Sequence, residues 1–153
     1  DVSIQAQILN LLKDLQAEYG LTYIFVSHNM AVVRYISDRI AVMYAGKLVE
    51  LGEKNEVLNH PRHPYTELLL AAVPRTVDRK REQRIITPGE PPDLGNLPKG
   101  CVFQARCKYV KDLCKQEEPP LRPIGNNHFA SCHFAEELDL QGIVLQPALS
   151  NGK

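Results

Sequence analysis

Apolar residues at Ile4, Ile8, Leu11, Leu12, Leu15 and Tyr19 recur at intervals of three and four, the period of one helix face, and Gly20 stands where such a helix would end. Asp1 or Ser3 is suited to cap its start. The run Leu21 to Val26 is β-branched and aromatic without polar alternation, which predicts a strand buried on both faces. After Ser27-His28-Asn29 a short helix fits Met30 to Ile36, followed by a strand at Arg39 to Tyr44. Ala45-Gly46-Lys47 turns the chain, and Leu48 to Leu51 reads as the returning arm of a hairpin. Helix alternating with buried strand predicts the α/β class. Glu53 to Leu58 suits a short helix stopped before Pro61, and Pro64 opens another that runs through Leu68, Leu69 and Leu70 to Val73 and Pro74.

The character of the chain then changes. Arg75 to Arg84 carries five basic residues, and Pro88-Gly89-Glu90-Pro91-Pro92 cannot sustain a regular element. Residues 75–92 are therefore expected to be a linker, with one domain at 1–74, a cysteine module at 93–135 and a tail at 136–153. All four cysteines of the chain, Cys101, Cys107, Cys114 and Cys132, fall within 32 residues in the pattern C-x5-C-x6-C-x17-C. Four thiolates drawn together by loops make a soft cage suited to zinc or an iron–sulfur cluster. The pattern is not the paired C-x2-C spacing of zinc fingers and ribbons, and it points to irregular loops around a larger guest. His60 and His63 flank the helix that Pro64 begins, and that local role accounts for them.

Composition narrows the field of partners. At 153 residues and 44% apolar content the chain can pack a core, and 18 basic residues balance 18 acidic ones at a pI near 7.1. A neutral balance offers no field to a polyanion, so nucleic acid is not an expected partner. No apolar run approaches the roughly 20 residues of a spanning helix, and no secretory signal opens the sequence. His28 follows a predicted buried strand, where ligands of open α/β sheets collect.

The order of segments carries a resemblance. The stretch from Asp1 through the helix, Thr22-Tyr23-Ile24-Phe25-Val26-Ser27-His28-Asn29, Asp38 to Lys47 and Glu50-Leu51-Gly52 resembles the distal half of an ABC-transporter ATPase domain. Asn59 to Thr66 and Leu68 to Pro74 resemble the continuation found in the peptide and nickel importer branch. So do Gly100-Cys101-Val102-Phe103-Gln104-Ala105-Arg106-Cys107, Cys114 and Cys132-His133. The resemblance implies that Asp1 is a D-loop residue at the interface of two ATPase subunits and that His28 is the switch-loop histidine that contacts the γ-phosphate of ATP. It implies a [4Fe–4S] cluster held by Cys101, Cys107, Cys114 and Cys132, with zinc as the alternative; Arg106 and His133, next to two of these cysteines in sequence, are placed to tune it by charge or hydrogen bonding. It further implies a second ATPase subunit and membrane permease subunits as partners, and a place on the cytoplasmic face of the plasma membrane.

The sequence departs from that pattern in one large respect. It contains no G-x-x-x-x-G-K-[ST] phosphate loop, and neither the ABC signature nor the strand bearing the Mg²⁺-linked aspartate and catalytic glutamate. All of these would precede Asp1, so the expectation is a piece of a longer ATPase subunit that would not hydrolyse ATP alone. The rival reading is a free-standing four-cysteine zinc or iron–sulfur module for interaction or redox work.

Overall fold

The computed structural model describes residues 2–73, 90 and 92–143. The chain forms two compact units, residues 1–38 and residues 39–153. In the first, α1 spans Val2–Tyr19 and Gly20 follows it in the left-handed region at φ +64°. α2 spans Met30–Ile36, and the Asn29 side chain caps it by accepting from the backbone N–H of Ala31 at 3.0 Å. Leu9 packs on Val32 and Ile36, with Leu12 against them. Tyr35 adds a hydrogen bond to Asn10.

Two expectations for this unit are corrected. The residues of the predicted α1 stripe Ile4, Ile8 and Leu11 are more than half exposed, and Leu9 is the buried contact. Leu21 to Val26 forms no strand, and Ile24 and Val26 are 96% and 93% exposed. The reason is physical: a strand exists only through its ladder, and no described segment pairs with this one.

The second unit is built on an antiparallel sheet. β1 (Arg39–Tyr44) turns Ile40, Val42 and Tyr44 inward and Arg39, Ala41 and Met43 outward. It joins β2 (Lys47–Glu53) through Ala45 and Gly46, both at positive φ, the geometry a two-residue hairpin turn requires. A bulge interrupts the pair at Val42/Met43. β3 (Arg122–Gly125) and β4 (His128–Ala130) form a second hairpin around Asn126 and Asn127, again both at positive φ. β4 pairs with β2, Glu50 facing Ala130 and Leu51 facing Phe129, so the order is β1-β2-β4-β3. Strands on either side of the cysteine-bearing loops thus share one sheet.

Helices complete the unit. α3 spans Lys54–Asn59 and buries Val57 and Leu58, while α4 spans Pro64–Ala71 with Pro64 in its first turn. A 3-10 turn at Gln104–Arg106 and α5 (Asp112–Gln116) shape the cysteine-bearing loops. Further on, the Ile143 N–H donates to the Leu58 carbonyl at 2.7 Å. The proposed linker lies almost wholly outside the described residues, as do Asp1 and the last ten residues. Among the described residues no helix is long and apolar enough to cross a membrane.

Candidate functional site

Short backbone turns deliver the four cysteines to one place. The Cys101 N–H donates to the Cys114 carbonyl at 2.7 Å, tying the first cysteine to α5. That approach requires Gly100, because a Cβ there would stand 2.2 Å from the Cys114 oxygen. The 3-10 turn leads from Cys101 to Cys107, and the Val110 N–H returns to the Cys107 carbonyl at 3.3 Å. Cys132 follows β4 directly, its register set by the Ser131 N–H donating to the Val49 carbonyl at 2.8 Å. The Ser131 hydroxyl donates to the Pro119 carbonyl at 2.6 Å and closes the loop between α5 and β3.

All four thiols are free, with Cys101, Cys114 and Cys132 buried and Cys107 half-buried. They line a single cavity together with His63, Phe103, His133 and Phe134. Its open space is about 10 Å³, enough for roughly one water. Burial pushes the Cys107 thiol up to about 12 and Cys132 to about 11, and raises Cys101 in the same direction; the neighbouring thiols add to each shift. These are uncharged thiols at neutral pH, so a cation entering here must displace protons.

The metal-binding character expected of this module is not shown by the structure. Among the described residues, no three His, Cys, Asp or Glu side chains stand close enough to hold a metal ion. What is present is a soft donor set around one cavity, without disulfides, with side chains not drawn in to ligating distance.

Two buried carboxylates hold the walls of this cavity. Glu50 on β2 is wholly buried and accepts four hydrogen bonds. The Arg62 N–H donates at 2.8 Å and His128 Nε2 at 2.7 Å to one oxygen. The His63 N–H donates at 3.0 Å to the other, joined there by the Thr66 hydroxyl. A negative charge thus sits against the N-terminus of α4 and is held by β4 from the other side. Glu67, one turn into α4, accepts from the Tyr109 hydroxyl at 3.1 and 3.2 Å, from Lys108 Nζ at 3.1 Å and from the Gln141 N–H at 3.0 Å. It clasps α4 to the loop just beyond Cys107 and to the segment after Leu140.

His63 ties these layers together. It is the N-cap of α4, and its Nδ1 accepts from the Tyr65 N–H at 3.1 Å. Burial pushes its pKa down to about 3, so the ring is neutral. It packs with Tyr44, Tyr65 and Phe103 in an aromatic cluster with centroid separations of 4.6 to 5.8 Å. His133, expected as a cluster neighbour, lines the cavity but directs its Nε2–H to the Glu117 carbonyl at 3.0 Å. Arg106 lies in the 3-10 turn.

The remaining site residues fall elsewhere. His28 lies in the first unit, exposed at a bend two residues before α2, and Asp1 is outside the described residues. Sequence reasoning missed Glu50, Glu67 and His128. The one available signal was a glutamate inside the otherwise apolar Leu48-Val49-Glu50-Leu51, where burial of an unpaired charge would be costly.

Comparison with known proteins agrees with the order of segments. Residues 49–114 match the family described as "Oligopeptide/dipeptide transporter, C-terminal region". Over 137 residues the chain is 52% identical to the oligopeptide transport ATP-binding protein AppF of Bacillus subtilis, covering 88% of this chain and 41% of that protein. It is 49% identical over 139 residues to the dipeptide transport ATP-binding protein DppF of Escherichia coli, covering 91% and 41%. A putative peptide import ATP-binding protein of Brucella abortus is 51% identical over 134 residues, covering 88% and 39%. The chain thus spans about two fifths of the length of the curated relatives it matches.

Proposed function

Because this chain belongs to the ATP-binding subunits of oligopeptide/dipeptide ABC transporters, of which it carries the C-terminal region, we propose that it serves a subunit whose ATP hydrolysis drives peptide import. The similarity to two transport ATP-binding proteins of different bacteria at about half identity is the observation that supports this reading. In the whole subunit His28 contacts the γ-phosphate and Asp1 couples two ATPase subunits across their interface. Closure of that pair around ATP moves permease subunits between their two facing states, with the subunit seated peripherally on the cytoplasmic face of the membrane. The bare apolar residues Ile24 and Val26 are what a strand awaiting neighbours from the rest of an ATPase sheet would show.

The cavity carries the second part of the proposal. Cys101, Cys107, Cys114 and Cys132 hold a [4Fe–4S] cluster, supported by their convergence on one cavity as free thiols from loops that regular structure alone does not bring together. Bound there, a cluster supplies a covalent cross-link among three loops and a one-electron centre. Glu50 and Glu67 set the frame on which those loops rest. For the ATPase part, His28→Ala in the full-length subunit, assembled with its permease, is expected to abolish most ATP-driven peptide uptake while leaving ATP binding. Undiminished uptake would refute the role of His28.

A further inference from the structure

We propose that Cys101 and Cys114 are a redox pair, joined by a peroxide into a disulfide that ties the turn after Gly100 to α5. This chemistry belongs to the metal-free thiols and stands apart from the cluster reading of all four cysteines. The backbone selects the pair. The Cys101 N–H donates to the Cys114 carbonyl at 2.7 Å, and among the described residues no other two cysteines are joined by a backbone hydrogen bond. With standard bond lengths that contact holds the two Cα atoms at most about 6.6 Å apart, inside the roughly 4.4–6.8 Å that a disulfide spans. Gly100 makes the approach possible, since a Cβ there would stand 2.2 Å from the Cys114 oxygen. The Cys114 N–H in turn donates to the Lys111 carbonyl at 3.0 Å, so the start of α5 fixes that end. Both side chains are buried and line the same cavity, which turns their sulfurs toward one space. A metal asks for three or more donors drawn together, which no group among the described residues supplies, whereas a disulfide asks for two.

Hydrogen peroxide, small and uncharged, reaches buried thiols through local opening. One sulfur of the pair, as its thiolate, attacks a peroxide oxygen and the O–O bond breaks. The products are a sulfenic acid and hydroxide, and the hydroxide takes up the proton that the thiol released. The second thiol then attacks the sulfenic sulfur, the S–O bond breaks, the S–S bond forms, and water leaves with that thiol's proton. Each sulfur gives up one electron and the peroxide takes both. Because the backbone holds the partner close, the sulfenic acid is captured before a second peroxide oxidises it further. Cys107 and Cys132 keep their thiols, and the closed pair takes two soft donors out of the cavity.

The test uses the 153-residue chain, reduced, freed of metal with a chelator, desalted, exposed to hydrogen peroxide and then blocked with N-ethylmaleimide. Trypsin cuts after Arg106, Lys108 and Lys115, which puts each cysteine on a peptide of its own. Mass spectrometry without reduction is expected to find the Cys101 and Cys114 peptides joined, about ten-fold more abundant than any other pair, and to find them separate after dithiothreitol. In urea, loop closure alone sets the pairing and favours the shorter loops Cys101–Cys107 and Cys107–Cys114, so the preference is expected to vanish. A dominant link to Cys107 or Cys132, a Cys101–Cys114 share no greater in the folded chain than in urea, or oxidation that leaves no link at all would overturn the pair. The cluster reading stands or falls separately, on the metal content of the reduced chain.

Discussion

Replacing Glu50 by glutamine removes one charge and no volume, yet it leaves a buried hydrogen-bond network with one acceptor too few. In either orientation the new amide NH₂ meets two former donors. Placed at one oxygen position it faces the Arg62 N–H and His128; placed at the other it faces the His63 N–H and the Thr66 hydroxyl. The imidazole and the hydroxyl can exchange roles and accept, but a backbone N–H cannot. Each orientation therefore strands one backbone donor, at a cost of about 1–3 kcal/mol, and also loses the charge assistance of the remaining bonds. Glu50→Gln should thus cost about 2–3 kcal/mol, and Glu50→Ala, stranding both backbone donors beside a new cavity, about 4–5 kcal/mol. Thr66→Val should cost only about 1 kcal/mol, because the carboxylate keeps three other donors. Urea unfolding followed by near-ultraviolet circular dichroism, to which the packed Tyr44, Tyr65 and Phe103 cluster contributes, follows the loss of this packing. With a urea m-value of about 2 kcal/mol/M, Glu50→Gln lowers the midpoint by about 1 M. A Glu50→Gln midpoint at the parent value, or a Thr66→Val loss as large as that of Glu50→Ala, would refute the account of Glu50 as the joint between β2, α4 and β4.

His63 gives the folded chain an acid limit. Its pKa is pushed from 6.5 down to about 3, so between those values the unfolded chain binds a proton that the folded one refuses. The stability it contributes is complete above about pH 6.5 and is lost as pH falls toward 3, at up to about 1.4 kcal/mol per pH unit. In His63→Asn, which keeps a capping oxygen, urea midpoints between pH 7 and 4 should fall less steeply than in the parent; parallel curves would contradict the assignment. Glu67→Ala unties the segment after Cys107 from α4. Iodoacetamide labelling of the metal-free chain, read by mass spectrometry, should show Cys107 reacting about ten-fold faster relative to Cys132, the effect of losing about 1.4 kcal/mol of local tethering. An unchanged ratio would show that the clasp does not restrain that loop.

Local chemistry was legible wherever a signal and its consequence lie close together. The strand at Arg39 to Tyr44 and the Ala45-Gly46-Lys47 turn announce the first hairpin, the helix over Met30 to Ile36 is read directly, and Pro64 announces α4. The convergence of the cysteines follows from their confinement to a loop-rich stretch. The hairpin of β3 and β4 was missed because its strands are four and three residues long and one contains Pro123, too short for a period to register. Leu21 to Val26 shows the opposite failure: composition states what a strand would be made of, but only neighbouring strands can make it one. The buried carboxylates were hidden for a third reason. Glu50 meets His128 across 78 positions and Glu67 meets Gln141 across 74, and no local window contains both partners. His28 shows that a motif's position can be read without its chemistry, since its predicted role needs groups from a longer subunit.

The central claim, that the four cysteines form one cluster site within the peptide-transport ATP-binding family, meets its most direct test in the metal content of the anaerobically purified chain. The account predicts about four iron and four acid-labile sulfide per chain, with both lost on Cys114→Ser. Zinc alone, or no metal retained by four reduced thiols, would contradict it.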